Sequence, residues 1–159
     1  MRSGDAQSIE IFVKKYYPLI LKYCCLHICD HGYAEDMAQE TFEQFFRTFD
    51  RYRHYGKALN YLYVIASSKC KNHQRKNVDL VFEKLPEQAD GKTEYMEEWL
   101  DVRIAMNRLP PELRDPAILF YVQQLKQREI AEILGIGLPL VKYRIRKAKE
   151  LLADYLKEE

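Results

Sequence analysis

The chain has 159 residues, 47% of them apolar, and a formal net charge of +1. That apolar content suffices for one folded domain or two small ones and argues against disorder, while the near-neutral total excludes a general pull toward polyanions, so nucleic-acid binding would have to come from local patches. No apolar run approaches the ~20 residues that cross a bilayer, and the opening MRSGDAQSIE lacks the apolar core of a signal peptide, so a cytoplasmic protein is expected. Cys24, Cys25, Cys29 and Cys70 are then expected to be reduced and to pack as small apolar residues.

Six glycines, the absence of alternating β-branched runs and an apolar period near 3.6 predict an all-α fold. A first helix is predicted over residues 5 to 29, with Ile9, Phe12, Val13, Tyr16, Ile20, Tyr23 and Cys24 as its buried stripe. Pro18 would kink it and Asp30-His31-Gly32 would end it. Cys24, His27 and His31 share a helical face that raises a second reading, a metal or redox site. No second ligand pair accompanies them, so structural roles are the expectation. The second helix should run from Tyr33 to Phe49, with Met37, Thr41, Phe45 and Phe49 on one edge and Ala38, Phe42 and Phe46 on the next. Glu35, Asp36, Gln39, Glu40 and Glu43 make its other face acidic. Tyr52 to Gly56 reads as a loop, and a third helix from Ala58 to Lys76 carries Leu62, Ile65 and Ala66 before a basic end, KCKNHQRK.

From Asp79 to Asp101 eight acidic residues stand against two lysines, and Pro86 and Gly91 break any long helix. This is the expected flexible acidic linker, either a solvated tether or a segment lying in a positively charged channel. A short helix from Glu94 to Asn107 leads to Leu109-Pro110-Pro111-Glu112, where paired prolines end one helix and start another over residues 112 to 125. The predicted organisation is two small helical domains, residues 1–77 and 95–159, joined by residues 78–94.

The last helices carry the most chemistry. In KQREIAEILGIGLPLVKYRIRKAKELL, residues 126–152, Ile130, Ile133 and Leu134 define an amphipathic helix. Gly135 stops it in the left-handed conformation that glycine reaches without steric cost, and Ile136 plugs the corner. A second helix opens near Pro139 and turns Val141, Ile145, Ala148 and Leu152 inward. Five of the eight residues from 142 to 149 are basic and none is acidic. A merely solvated helix mixes signs, whereas Lys142, Tyr143, Arg144, Arg146, Lys147 and Lys149 concentrate positive charge where a recognition helix enters a major groove. Lys142, Tyr143 and Arg146 stand best for base edges, and Arg144, Lys147 and Lys149 for phosphates.

AEDMAQETFEQFFR at 34 to 47, NYLYVIASSKCKNHQRK at 60 to 76 and LPPELRDPAILFYVQQLKQREIAEILGIGLPLVKYRIRKAKELL at 109 to 152 together resemble the extracytoplasmic-function (ECF) sigma factors of the sigma-70 family of bacterial RNA polymerase, in order and in spacing. The resemblance implies a chain that binds core polymerase and directs promoter-specific initiation. It implies that region 2, the amino-terminal unit, docks through Asp36, Gln39, Glu40 and Glu43 on the clamp helices of the largest polymerase subunit. The loop and third helix would open and read the minus-10 element: Tyr52, Tyr55, Asn60 and Tyr61 for bases or loop placement, with Lys69, Lys71, Asn72, Arg75 and Lys76 along the strand. Exposed aromatics that stack on unpaired bases beside cations that hold phosphates suit that task, although Tyr61 and Tyr63 fit the core equally well. Region 4, the carboxy-terminal unit, would read the minus-35 duplex and meet the flap of the second-largest subunit, and an anti-sigma partner is implied as plausible. Leu140 and Tyr143 stand where relatives often carry a small polar residue and a serine, and Ser67 and Ser68 replace a basic residue and an asparagine, so promoter preference does not transfer.

The competing reading is a helix-turn-helix regulator that binds operator DNA without polymerase, although such proteins usually add a dimerisation or ligand domain. Catalysis is not expected: no HExxH, phosphate loop or nucleophile elbow occurs, and His27, His31, His54 and His73 lack evident partners. No cofactor or metal is implied.

Overall fold

A computed structural model describes residues 6–28, 30–48, 57–76 and 100–157. Among them the chain forms seven α-helices and one π-helical turn, with no strand, as the periodicity predicts. The predicted linker, together with Cys29, Phe49, Tyr52 and Tyr55, lies outside the described residues, as do the side chains of Arg75 and Lys76.

Helix α1 (Ala6–His27) continues through Pro18, whose ring is exposed. It ends before the predicted boundary because Asp30 serves the next helix. The Asp30 Oδ1 accepts the Tyr33 amide at 3.1 Å, an N-cap that makes His31 and Gly32 the first residues of α2 (His31–Arg47) and not the end of α1. Helix α3 spans Ala58–Lys76 as predicted. The three pack around Ile20, Tyr23, Leu26, Phe45 and Leu62, all fully buried, with the Phe12 ring stacked 5.1 Å from Phe45.

Helix α4 (Leu100–Arg108) is closed by Arg114, which donates from Nε to the Met106 carbonyl at 3.2 Å and from its terminal nitrogen to the Leu109 carbonyl at 3.0 Å. These bonds satisfy carbonyls that a helix end leaves without amides. Residues 112 to 125 do not form the single helix predicted. Instead α5 (Pro111–Ala117) passes into a π-helical turn (Ile118–Val122). Pro116 supplies no amide to the ladder, the spacing widens, and the Gln123 amide closes on the Ile118 carbonyl at 3.0 Å. Gln124 then turns the chain with φ of 60°.

Helix α6 (Gln127–Leu134) ends at Gly135, whose φ of 67° is the predicted left-handed corner, and α7 (Leu138–Lys157) follows. Val141, Ile145 and Ala148 are buried, and Ile136 is half-buried against the core. The far end of α7 returns to α4: the Tyr155 hydroxyl donates to the Arg108 carbonyl at 3.0 Å, and the Arg108 guanidinium lies 3.9 Å above the Tyr155 ring. The two halves share one continuous core, with α1 against α4 and α3 against α6.

Candidate nucleic-acid and docking interfaces

Asp36, Gln39, Glu40 and Glu43 recur every three or four residues on α2, and all four are exposed. Asp36 and Gln39 line an open hollow of about 440 Å³ with Asp30, Tyr33 and Glu35. Glu40 Oε1 is 3.8 Å from Lys69 Nζ of α3. The result is a solvent-facing acidic surface on a rigid helix whose apolar edge, Ala38, Thr41, Phe42 and Phe45, is buried.

On α7 the sequence-predicted residues are also outward. Lys142, Tyr143, Arg146, Lys147 and Lys149 are exposed and Arg144 is half-buried. The Arg146 guanidinium sits 5.7 Å from the Tyr143 ring, and Lys147 lies 3.7 Å from Glu150. At the start of α6 and α7 a cleft of about 550 Å³ adds cations that the motif reading missed, Lys126 and Arg128, beside Lys142 and Lys57. Their signal was the KQR that opens the motif.

The minus-10 candidates among the described residues do not form one exposed surface. Lys71 and Asn72 are exposed and Lys69 is half-buried. Tyr61 is half-buried, with its ring 5.7 Å from Phe45 and its hydroxyl 2.6 Å from Thr48 Oγ1. Asn60 is only 2% exposed and donates from Nδ2 to Glu129 Oε2 of α6 at 3.1 Å.

That contact belongs to a polar seam between the halves. Asn60, Tyr63, Ser67 and Lys71 follow helical spacing down one stripe of α3, and each meets the carboxy-terminal half. Lys57 Nζ joins Asn60 at Glu129, 3.3 Å from the same oxygen. Gln123 Nε2 donates to the Tyr63 hydroxyl, and to the Leu19 carbonyl at 3.2 Å. Asp115 enters deepest. Its Oδ1 accepts the Tyr23 hydroxyl at 2.7 Å and lies 2.7 Å from His27 Nε2, while its Oδ2 accepts Ser67 Oγ at 3.2 Å and lies 3.6 Å from Lys71 Nζ. Burial alone would raise the Asp115 pKa, but the His27 and Tyr23 contacts and the Lys71 charge win and hold the carboxyl well below the usual range. Burial raises the Tyr23 hydroxyl, with the Asp115 charge adding to it.

This geometry separates the residues of the metal reading. His27 faces Asp115, whereas His31 lies on α2 with Nε2 3.5 Å from Glu35 and Nδ1 3.9 Å from Cys25 Sγ. Burial pushes the Cys25 thiol up to about 12.

Residues 12–78 match Sigma-70 region 2, and residues 100–152 match Sigma-70, region 4. The chain belongs to the sigma-70 family, among its ECF sigma factors. Among curated relatives, the ECF RNA polymerase sigma factor SigE of Mycolicibacterium smegmatis is 32% identical over 77% of this chain and 51% of its own length, so the chain spans about half of that relative. ECF RNA polymerase sigma factor SigW of Bacillus subtilis is 25% identical over 99% of this chain and 94% of its own. In fold, the chain is similar to the sigma factor RpoE of Bartonella quintana, solved in complex with the anti-sigma factor NepR, with a TM-score of 0.79 at 20% identity over 96% of this chain and 98% of that one. CnrH, solved with the cytosolic domain of CnrY, gives a TM-score of 0.79 at 18% identity over 99% and 92%. The acidic helix α2 therefore lies in region 2 and the basic helix α7 in region 4. No helix among the described residues is long and apolar enough to cross a membrane.

Proposed function

We infer that this ECF sigma factor binds core RNA polymerase through the α2 face of Asp36, Gln39, Glu40 and Glu43, on the clamp helices of the largest subunit, and through region 4 on the flap of the second-largest. Region 2 then reads and helps to melt the minus-10 element with Asn60, Tyr61, Lys69, Lys71 and Asn72, joined by Tyr55, Arg75 and Lys76. Region 4 reads the minus-35 duplex through Lys142, Tyr143 and Arg146, with Arg144, Lys147 and Lys149 on phosphates. The chain is a specificity subunit and not a catalyst, working in the cytoplasm where polymerase and promoter are. An anti-sigma protein is a further partner, as NepR is for RpoE of Bartonella quintana. The observation that carries the reading is the presence of both sigma-70 regions in one chain, each presenting its charged helix to solvent.

The deciding experiment is run-off transcription with purified bacterial core polymerase on DNA upstream of this protein's own gene, with and without the protein. Defined transcripts that require the protein support the reading. Specific duplex binding by the protein alone, with no association with core polymerase, favours the operator-binding regulator instead.

A further inference from the structure

Helix α7 carries an apolar pair on its cationic side. Leu140 and Tyr143 are 39% and 50% exposed, while Lys142, Arg146 and Lys147, also exposed, surround them with positive charge. At about 100° per residue, Tyr143 points almost directly away from the buried Val141, Ile145 and Ala148, and Leu140 stands nearly one turn before it on the same side. Arg146 flanks the pair on one edge, its guanidinium 5.7 Å from the Tyr143 ring, and Lys147 flanks it on the other. Neither apolar side chain belongs to the core, and a leucine exposed at the entrance to a helix gains nothing from water. No residue from 138 to 149 is acidic, so the surface does not suit the mixed charges of a protein groove. A DNA major groove suits it, because thymine C5 methyls are the apolar groups there and phosphates run along its edges.

We propose that Leu140 and Tyr143 are specificity-determining residues that read neighbouring thymines of the minus-35 duplex through apolar contact with their C5 methyl groups. The inference rests on the promoter reading given above and deepens it, giving Tyr143 a base and Leu140 a role. Three residues advance a helix by about 4.5 Å, close to the roughly 3.4 Å between successive bases of one strand, so a helix lying along the groove sets the two side chains over adjacent methyls. Leucine has no donor or acceptor. A cytosine amino group or a purine edge covered by it is left unpaired, whereas a methyl loses nothing on leaving water. The Tyr143 ring also steadies Arg146, whose fork fits the O6 and N7 of guanine, so the element read by this helix joins a guanine to the thymine pair.

Holoenzyme formed from the full chain and purified bacterial core polymerase tests this on a promoter library randomised across the minus-35 region. The wild type should enrich an element with adjacent thymines on one strand. Replacing those thymines by deoxyuridine, which differs only in lacking the methyl, should weaken binding about fourfold per methyl. Leu140→Ser should lose that discrimination at one thymine and Tyr143→Ser at its neighbour, each with helicity unchanged by circular dichroism because both positions are exposed. Leu140→Met, which restores an apolar side chain of similar size, should discriminate as the wild type does. Thymine and deoxyuridine duplexes bound alike by the wild type overturn the proposal and leave the promoter reading in place, and so does an enriched element without adjacent thymines. If core polymerase does not retain the chain, or the holoenzyme enriches no element at all, the promoter reading falls and the proposal with it.

Discussion

Asp36 and Glu40 sit on exposed turns of α2, contribute nothing to its buried edge, and so can be reversed without disturbing the fold. Reversing both to lysine should lower affinity for core polymerase at least tenfold while the circular dichroism melt is unchanged; equal affinity in a pull-down titration removes them from the docking surface. Lys142 and Arg146 make the converse case. Replacing both by alanine should abolish selective transcription from the cognate promoter yet leave core binding as it was. Gly135 is a structural residue at this scale. A Cβ there meets nothing within 4 Å, so Gly135→Ala carries only the backbone cost of φ at 67°, about 1 kcal/mol, seen as a Tm lower by about 3 °C.

Among elements, α6 is the one whose cap also forms a contact between regions. Glu129 Oε1 accepts the Lys126 amide at 3.1 Å and closes the first turn, while Oε2 accepts Asn60 of α3. Burial alone would raise the Glu129 pKa, but the Asn60 and Lys126 hydrogen bonds, with the Lys57 ammonium beside them, hold it below its ordinary value. The stability this supplies is therefore complete above the ordinary carboxylate range and is lost as pH falls through the lowered value. Glu129→Gln should flatten the acid limb of the chain's stability profile, measured by urea melts from pH 7 down to about 3. A profile parallel to the wild type would show that the Glu129 contacts do not distinguish folded from unfolded chain. On α7, each phosphate contact should contribute about one counterion, so replacing Arg144 and Lys147 should reduce the slope of log K against log salt by about two.

For the whole molecule, the continuous core and the Asp115 seam make the two regions one cooperative unit in the free chain. Heat should unfold the wild type in a single calorimetric transition, and Asp115→Ala should split it into two. Core residues were legible because apolar period reports burial directly: Ile20, Tyr23, Phe45, Leu62, Val141 and Ile145 are all where a 3.6 repeat places them. The acidic and basic faces were legible for the same reason, since solvent-facing positions are those the apolar stripe leaves over. The seam was not. Tyr63, Ser67 and Asp115 are polar residues whose hydrogen-bond partners lie 48 to 92 positions away, and local spacing carries no information at that range. A trace was present in hindsight: Asp115 stands among Leu113, Pro116, Ala117 and Ile118, where a carboxylate can be buried only against donors from elsewhere.

By itself, the sequence determined the helices, the glycine corner, the two charged faces and the family, because each of these is written in residues within a few turns of one another. Only the tertiary structure decided that Asp30 caps α2, that α5 widens into a π turn, and that region 4 lies along the region 2 stripe with Asp115 beneath it. The physical reason is plainest at Asp115. A buried charge is tolerable only where tyrosine, histidine, serine and lysine from distant segments converge on it, and that convergence exists only once the chain has folded.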